Sequence, residues 1–536
     1  MNIAFDPWIP VTTLTGSSTL ISVHKALTNG ESYADLAVRP HERVALMRLL
    51  LCVSHAALDG PKDFEEWEQV PERLPEAVSS YLETWKESFE LFHPEKPWLQ
   101  VAGLNVCASP KSKQKDPEDS WQPLTKLCLT RASGNNSTLF DHSASASDYE
   151  IFSDSEIVLN LLTFQNYFVA GGKASSRMWG SIEMKNPPNP KGGPCAGKSI
   201  IYTFGRSKNL ISTIHINMNH YEDIELTYGN NNSYIGRPIW EIPIDTPINE
   251  ISLYNATKTH LGRLVPQTRI LKIHNDRKRV LFGSGFYYPK FQDDNAFHPD
   301  IFASVVIDKE QKRVYLGARK DKSAWRELHS IAVHAASRTD GSRGPLWLQN
   351  IRNEKCDIIT AAMLTNPSQA AEIVDLVEST YSIPIQLFNE FGLNTYEFEV
   401  HTAESIARKL GGAIETYRLE IDGGWESRLK MVGSSKGQLK ARLHSIATTH
   451  YWTAVEKNLD LLMAAIEALG SEAFLESQKS WRSVLNASAR EAYELACAQD
   501  TPRQMRAYAK GWDKLIFRQD GTGETEANNA NQEEKE

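Results

Sequence analysis

The sequence has few of the features that metal-binding, disulfide-stabilised or membrane proteins need. Its 536 residues include 6 cysteines, and no two of them form a C-x-x-C pair. This scatter argues against a zinc ribbon or a disulfide framework and favours a reducing environment, so we expect a cytoplasmic protein. No apolar run reaches membrane-spanning length, and the N-terminal residues resemble neither a signal peptide nor a transit peptide.

An excess of positive charge is also missing. The formal net charge is -9, whereas a protein that wraps nucleic acid over its whole surface is expected to be basic. Any contact with DNA or RNA should therefore use a local patch, with neighbouring chains holding most of the phosphates. The last residues, 519–536, are acidic and almost free of apolar side chains, which predicts a disordered tail.

No pattern of catalytic residues is visible. The chain has no H-E-x-x-H motif and no G-x-S-x-G elbow, and its closely spaced histidine pairs do not share a helical face. The sequence therefore predicts a protein that is not an enzyme and that needs no metal and no cofactor. A metal-dependent nuclease built from distant residues stays open as an alternative.

One stretch matches a nucleotide-binding motif letter for letter. Residues 192–199 read G-G-P-C-A-G-K-S, which fits the phosphate-binding loop G-x-x-x-x-G-K-[ST]. That loop works only between a buried strand and a helix, because the amides at the helix N-terminus face the phosphates. Here a proline-rich segment precedes the motif and a β-branched, aromatic segment follows it. We interpret the match as chance, and a P-loop NTPase using Lys198 is the alternative function.

Hydrophobic periodicity indicates an α+β fold in two parts. A large mixed domain over 1–395, with several antiparallel sheets and helices, is followed by a C-terminal four-helix bundle over 396–518. In the first domain we predict helices over 41–58, 67–92 and 366–380, a helix from about Ser153 to Gly171, a strand over 211–218, a turn at 236–241 that leads into another strand, and hairpins formed by 266–274 with 279–282 and within 304–316. The predicted bundle helices are 403–419, 436–469, 471–498 and a last one from Thr501.

Several residues could contact nucleic acid, although each also has an ordinary structural explanation. Gly171 and Gly172 end a predicted helix and are followed by Lys173, which suits backbone and phosphate contacts, or simply a C-capped helix and a solvated loop. Lys278 lies on a hairpin turn and could be solvated. Phe140 lies in a polar segment, where it could be a local anchor or insert between bases.

Gln369 and Ala370 follow Asn366-Pro367, a pair that fits the N-cap and first position of a helix. In that interpretation Gln369 is the third helical residue of a capping box and has a local role without any ligand. The same position also exposes Gln369 and Ala370 at a helix N-terminus, where they could wedge into a duplex.

Together, several stretches resemble one family, the large subunit CasA of the type I-E CRISPR surveillance complex. The stretches appear in the family's order over nearly the whole chain: D-P-W-I-P-V at 6–11, the apolar helix 41–58, F-H-P-E-K-P-W-L-Q at 92–100, the segment ending in Gly171-Gly172, R-P-I-W-E at 237–241, P-Q-T-R at 266–269 and the C-terminal helices. Each motif alone is weak, and their order and spacing carry the resemblance.

The resemblance implies a non-catalytic subunit that reads the protospacer-adjacent motif beside the target, while the guide RNA reads the sequence. It implies a glycine loop at Ala170, Gly171, Gly172 and Lys173, a minor-groove lysine at Lys278, a duplex-splitting wedge at Gln369 and Ala370, and an aromatic near the guide's end at Phe140. The implied partners are the other subunits of the complex, the guide crRNA, target double-stranded DNA and a helicase-nuclease.

Overall fold

A computed structural model describes most of the chain. It covers residues 1–107, 120–131, 149–168, 177–184, 192–195, 199–228, 234–289, 300–333, 342–351, 356–366, 369–421 and 435–516, with backbone alone at 227–228, 369–371 and 435–441. The chain divides into two units, Met1–Ile383 and Pro384–Glu536. The predicted tail, 519–536, lies outside the described residues.

The strands are β1 (Ile9–Thr13), β2 (Ser18–Ile21), β3 (Tyr33–Leu36), β4 (Leu104–Val106), β5 (Gln122–Pro123), β6 (Arg177–Trp179), β7 (Ile182–Met184), β8 (Tyr202–Arg206), β9 (Arg269–Ile273), β10 (Arg279–Gly285), β11 (Val305–Ile307), β12 (Arg313–Tyr315), β13 (Cys356–Asn366) and β14 (Gln369–Ile383).

The helices are α1 (Val23–Thr28), α2 (Pro40–Leu58), α3 (Phe64–Glu68), α4 (Val70–Thr84), α5 (Asp154–Tyr167), α6 (Leu210–Ile216), α7 (Tyr221–Tyr228), α8 (Glu250–Lys258), α9 (His260–Leu264), α10 (Leu328–Ile331), α11 (Glu390–Ile421), α12 (Ser435–Lys457), α13 (Leu459–Glu467), α14 (Phe474–Ala496) and α15 (Pro502–Leu515). No helix among the described residues has both the length and the apolarity that crossing a membrane requires.

The strands of the N-terminal unit form small sheets, and every strand pair is antiparallel. The strand orders are β2-β1-β3, β5-β10-β9, β11-β12, β14-β13-β8 and β4-β6-β7. The predicted α+β class with several antiparallel sheets, the helix over 41–58 and both predicted hairpins are confirmed. The unit is assembled from local hairpins and long-range strand additions around buried helices.

Helix α2 forms the centre of the N-terminal core. Nearly all its side chains are buried, and they include the guanidinium of Arg48, which is 2% exposed. Arg48 forms an ion pair with Asp300 and donates hydrogen bonds to the carbonyls of Arg263 (2.7 Å) and Leu264 (3.3 Å). A buried charge needs this kind of compensation because burial removes its hydration. The core therefore depends on contacts between residues far apart in sequence.

The C-terminal unit is helical in its described residues. Helix α11 packs on α15, and α12 packs on α14. Trp481, Tyr396 and Tyr451 are buried in this core. The predicted helix over 436–469 is interrupted at Asn458, where α12 ends and α13 begins. The side-chain amide of Asn458 donates to the carbonyl of Ala454 (2.8 Å), and such competition with the backbone is typical of Asn in helices.

Three sequence-based predictions in the N-terminal unit are wrong. Residues 211–218 fall in helix α6 and not in a strand, because Asn209 caps the helix by accepting from the amide of Ser212 (2.9 Å). The predicted turn at 236–241 forms, but the chain continues from it into α8 and not into a strand. The predicted helix over 366–380 is the second strand of a hairpin, β14, whose β-branched residues pair along the whole length of β13.

Candidate nucleic-acid interface

The structure describes only part of the predicted DNA-contacting set. Lys278 is described fully, and Gln369 and Ala370 are described by their backbone. Ala170, Gly171, Gly172, Lys173 and Phe140 lie outside the described residues. The site is therefore defined by the elements that lead into these positions: helix α5, the β9-β10 turn and the β13-β14 hairpin.

The predicted glycine segment follows helix α5, which begins as the sequence indicates. Ser153 is the N-cap, and its hydroxyl accepts from the amide of Glu156 while the Glu156 carboxylate accepts from the amide of Ser153 (2.8 Å). This reciprocal arrangement is a capping box. The helix ends at Tyr167, and nearly all residues from Ile157 onward are buried. The packing of α5 therefore holds in place the residue from which the following segment starts.

The apparent P-loop has a structural role at this same helix end. The amide of Gly193 donates to the carbonyl of Phe168 (2.8 Å), and the amide of Cys195 donates to the carbonyl of Asn166 (3.0 Å). A Cβ at Gly193 would lie 2.8 Å from the carbonyl oxygen of Gln165, so this close approach requires glycine. After Ser199 the chain enters strand β8, and the helix that a phosphate loop needs does not follow. Lys198 lies outside the described residues.

Lys278 lies on the turn between β9 and β10, as predicted. Its amide donates to Oδ1 of Asp276 (2.9 Å), and its carbonyl accepts from the amide of Leu124 (2.7 Å). The neighbouring Arg277 and Arg279 are ion-paired with Asp154 and Asp276. The Lys278 ammonium forms no hydrogen bond or ion pair within the described residues. Of the three cations in this turn, Lys278 is the one with its charge available to a ligand.

Gln369 lies at the tip of the β13-β14 hairpin and not at a helix N-terminus. Its Cα partner in the ladder is Asn366, whose side-chain amide donates to the carboxylate of Glu372 (2.7 Å). The capping-box role predicted for Gln369 is therefore wrong. The sequence was ambiguous because Asn followed by Pro is favoured at the first two positions of a β-turn as well as at a helix start. A wedge at this position would be a hairpin tip.

The hairpin tip has a rigid base. Strand β8 pairs with β13 from Asp357 to Ala361, whereas β14 continues to pair with β13 as far as Asn366. The hairpin thus runs 5 residues past the last pair with β8, roughly 17 Å at strand spacing. Met363 and Leu364 in this extension are buried. The hairpin is consequently held by packing at its base, and Thr365 and Asn366, the last described residues of β13, are half-exposed.

Two constraints place this tip on the same side of the unit as the C-terminal end of α5. The amide of Thr365 donates to the hydroxyl of Ser199 (3.0 Å), and Cys195 is bonded to Asn166 on α5. Four Cα–Cα steps join Cys195 to Ser199 and span at most about 14 Å. The hairpin tip with Gln369 therefore lies near the point where the glycine segment begins.

Lys278 lies at the other end of α5. The amide of Arg269, at the start of β9, donates to the side chain of Gln165 (2.8 Å), and Arg277 is paired with Asp154 at the helix start (2.7 Å). Strand β9 therefore runs along α5 in the opposite direction. Because a helix of 14 residues is about 21 Å long, Lys278 lies roughly 20 Å from the C-terminal end of α5.

Sequence reasoning missed a pair of arginines beside the glycine segment. Arg177 directly follows residues 169–176, and Arg269 stacks on Phe168 with its guanidinium carbon 4.9 Å from the ring centre. Burial, together with the positive charge of Arg177, lowers the pKa of Arg269 to about 10. Arg269 has no ion pair within the described residues, and its Nε is buried without a hydrogen-bond partner. The P-Q-T-R motif contained this residue, but only the fold shows what it faces.

The described residues contain no group of three or more His, Cys, Asp or Glu side chains arranged to hold a metal ion. The described residues instead form the β9-β10 turn and the β13-β14 hairpin, together with the end of α5 that leads into the glycine segment. Lys278 and Arg269 are cations without ion pairs within these residues. Such an arrangement suits contact with a phosphate backbone and with the edges of bases.

Comparison with known proteins identifies the class of protein to which this fold and site belong. The family model for the CRISPR-associated protein Cse1 matches residues 2–492. The chain therefore belongs to the Cse1 family, and the resemblance seen in the sequence is confirmed.

Individual relatives agree with this assignment. The CRISPR-associated protein CasA/Cse1 of Thermus thermophilus is 26% identical over 516 residues, which cover 92% of this chain and 91% of the relative. A crystal structure of Thermus thermophilus CasA is similar with a TM-score of 0.71 at 21% identity, covering 96% of this chain and 98% of that one. A chain of a CRISPR RNA-guided surveillance complex is similar with a TM-score of 0.71 at 16% identity, covering 96% and 99%.

Proposed function

We propose that this chain is the non-catalytic large subunit of a type I-E surveillance complex, in which it recognises the protospacer-adjacent motif of double-stranded DNA and opens the duplex for guide pairing. The other subunits and the crRNA hold most of the nucleic acid, which suits a chain of net charge -9. In this assembly the subunit also helps to recruit the helicase-nuclease.

The observation that carries the proposal is the β13-β14 hairpin. A wedge must separate stacked base pairs, which costs a few kcal/mol per step. The hairpin that carries the wedge must therefore be held firmly in place. Burial of Met363 and Leu364 at the base of the hairpin provides that support. Gln369 and Ala370, at the tip of the hairpin, are the residues that we propose to enter the duplex.

The glycine segment and the wedge then act at the same place. Ala170, Gly171, Gly172 and Lys173 follow the end of α5, near the hairpin tip, and small residues allow a backbone to approach the narrow minor groove. The poorly paired Arg269 stands beside this segment and suits a phosphate of the same duplex. Phe140 is proposed to dock near the guide's end.

Lys278 contributes at a distance. Roughly 20 Å of α5 separates its turn from the C-terminal end of the helix, where the glycine segment begins, and a strand of B-DNA advances 3.4 Å per base, so about six base-pair steps separate contacts at the two ends of α5. We propose that Lys278 holds the duplex beyond the motif and that the wedge and glycine segment read and open it.

The test uses the assembled complex with its guide and a motif-bearing target duplex. Gln369→Ala should weaken binding of the intact duplex, with scrambled-motif duplex as the reference. It should leave binding unchanged for a target that carries a mismatched bubble beside the motif, because open DNA needs no wedge. If the bubble fails to restore binding, Gln369 does not act by opening the duplex.

Lys278→Ala should weaken both targets about equally and lower the salt dependence of binding by about one counterion. Lys312→Ala is the matched control, since Lys312 also lies on a hairpin turn and is 63% exposed. Equal effects of the two lysine variants would show that Lys278 acts only through general charge.

A further inference from the structure

Three of the stretches that carry the family resemblance meet at one cavity, and none of the residues that line it belongs to the proposed DNA site. Residues from 92–100, 237–241 and 266–269 line a cavity of about 390 Å³ in the N-terminal unit. Surface cavities that bind small ligands or side chains have volumes of about 300–1,000 Å³. The cavity is therefore large enough to hold a side chain of a partner.

The walls of the cavity are aromatic. Trp85, Trp98, Trp179 and Trp240 all contribute to its lining. Trp98, Trp179 and Trp240 are at most 8% exposed, so they are fixed in place by the core behind them. Trp240 is further held by a hydrogen bond from its Nε1 to the hydroxyl of Tyr81 (2.6 Å). Flat, immobile indole faces of this kind bind planar groups and organic cations.

The charged groups of the lining are mainly acidic. The carboxylates of Glu95, Glu241 and Asp245 line the cavity together with a single cationic side chain, Lys96. Glu95 and Asp245 are exposed, whereas the Glu241 side chain is 12% exposed, accepts from the Tyr81 hydroxyl (2.5 Å) and lies 3.9 Å from the guanidinium of Arg237. An excess of negative charge attracts a cation and repels a phosphate.

The floor is a backbone segment in an unfavourable conformation. Leu99 has a φ of 54°, in the left-handed region that is uncommon for residues other than glycine. The segment is held there because the carbonyl of Leu91 accepts from the side chain of Gln100 (2.8 Å) and the amide of Val101 donates to the carbonyl of Leu271 (2.9 Å). Strain that the surroundings maintain is found at ligand sites more than elsewhere.

We infer that this cavity binds the arginine side chain of a partner protein. A guanidinium is planar, stacks on indole faces and forms ion pairs with carboxylates, so it satisfies both the walls and the rim. A nucleotide would also stack on tryptophan, but its phosphates would meet Glu95, Glu241 and Asp245. The site is thus a protein-docking pocket, separate from the DNA contacts.

The test measures binding of acetyl-Gly-Arg-Gly-amide to the full chain by tryptophan fluorescence. The same peptide with citrulline in place of arginine is the neutral, isosteric comparison. The arginine peptide should bind at least fivefold more tightly than the citrulline peptide. The double variant Glu95→Gln with Asp245→Asn should weaken arginine-peptide binding at least fivefold, because it removes two rim charges and keeps both side-chain shapes.

The matched control is Glu310→Gln with Asp321→Asn, which removes two carboxylates that are 71% and 75% exposed outside the cavity. It should bind the arginine peptide as the unchanged chain does. Three results would overturn the inference: no saturable binding of the arginine peptide, tighter binding of adenosine monophosphate, or binding of agmatine as tight as that of the peptide. The last would assign the cavity to a free small cation.

Discussion

The two units of this chain stabilise their interiors in different ways. In the unit Met1–Ile383, the centre of the core contains the ion pair of Arg48 with Asp300, whose side chains are 2% and 9% exposed, and neutral histidines at 41, 55 and 260. In the unit Pro384–Glu536, the buried carboxylate of Glu399 pairs with Arg482, whose side chain is 38% exposed. Water is nearly excluded from the first of these two ion pairs and reaches one partner of the second.

This difference matters for stability because, when one member of an ion pair is removed, water can solvate the remaining charge only if that charge is accessible. A charge left alone in a sealed core keeps its full desolvation penalty, whereas a partly exposed pair is compensated by solvent. The N-terminal unit should therefore be more sensitive to changes at its polar interior than the C-terminal unit.

Removing the arginine from each pair should give the largest difference. Arg48→Met leaves Asp300 without its partner in the core and should lower the free energy of unfolding by about 3–5 kcal/mol. Arg482→Met should cost less, about 1.5–3 kcal/mol, because Gln478 still donates to Glu399 (2.9 Å) and water can enter. Urea unfolding followed by circular dichroism and by tryptophan fluorescence measures both.

The double variant Arg48→Met with Asp300→Leu is the control for this experiment. Replacing both charges by apolar groups removes the isolated carboxylate, so part of the lost stability should return. Equal losses for Arg48→Met and Arg482→Met would contradict the distinction between sealed and accessible charges.

The two units also differ in how much of their structure could be predicted from the sequence. In the C-terminal unit, apolar residues recur at helical spacing, and this local signal located α11, α14 and α15. It missed the break at Asn458 and the first part of α11, which begins at Glu390 and not at the predicted residue 403. In the N-terminal unit, strand β14 carries a helix-start signal at its first residues, and pairing with all 11 residues of β13 outweighs it. Local patterns fail where long-range pairing decides the structure.

The candidate site follows the same rule. The position of Lys278 could be predicted, because a turn between two short strands is a local feature. The role of Arg269 could not, since the absence of a nearby carboxylate depends on how β9 packs beside α5. The Trp-lined cavity was equally invisible, because its lining comes from segments separated by more than 150 residues. Motif order revealed the family, and only the fold shows where the motifs meet.

Acid should destabilise the N-terminal unit through its buried histidines. Burial, with a smaller effect of Arg39, lowers the pKa of His41 to about 3, and burial lowers the pKa of His55 to about 4 against the opposing hydrogen bond to Gly60. Both rings are neutral when folded and take up a proton near pH 6.5 when unfolded. Their contribution to stability is complete above pH 6.5 and falls as the pH drops towards 4, by about 1.4 kcal/mol per pH unit for each histidine.

Burial also lowers the pKa of His260 well below its usual range. Urea midpoints at pH 6.5 and pH 5.5 test this, and the three histidines together should account for about 3 kcal/mol. His55→Asn should remove about a third of that pH dependence while keeping a donor for the Gly60 carbonyl, which the His55 ring contacts at 2.9 Å. His93→Asn, in a half-exposed loop, is the control. An unchanged pH dependence in His55→Asn would show that this ring is already protonated or accessible in the folded chain.

We expect the smallest effects on stability from changes at the helix caps. At these positions the C-terminal unit should be more sensitive than the N-terminal unit. Ser153 caps α5 and Thr501 caps α15, each accepting from the backbone amide three residues on (3.3 and 3.2 Å). Either change to alanine should cost about 1 kcal/mol. Helix α5 is buried over most of its length, whereas α15 buries only Ala507, Gly511 and Leu515. Thr501→Ala should therefore fray its helix, and Ser153→Ala should leave its helix intact.

Amide hydrogen exchange distinguishes the two outcomes, because fraying exposes the first-turn amides without global unfolding. Exchange at residues 503–505 should accelerate about fivefold in Thr501→Ala, the equivalent of about 1 kcal/mol. Exchange at 154–157 should change less in Ser153→Ala, since packing holds that turn in place. The conservative variants Ser153→Thr and Thr501→Ser retain the accepting oxygen and should exchange as the unchanged chain does. Faster exchange at α5 than at α15 would mean that the cap, and not the surrounding core, fixes the start of the helix that leads to the glycine segment.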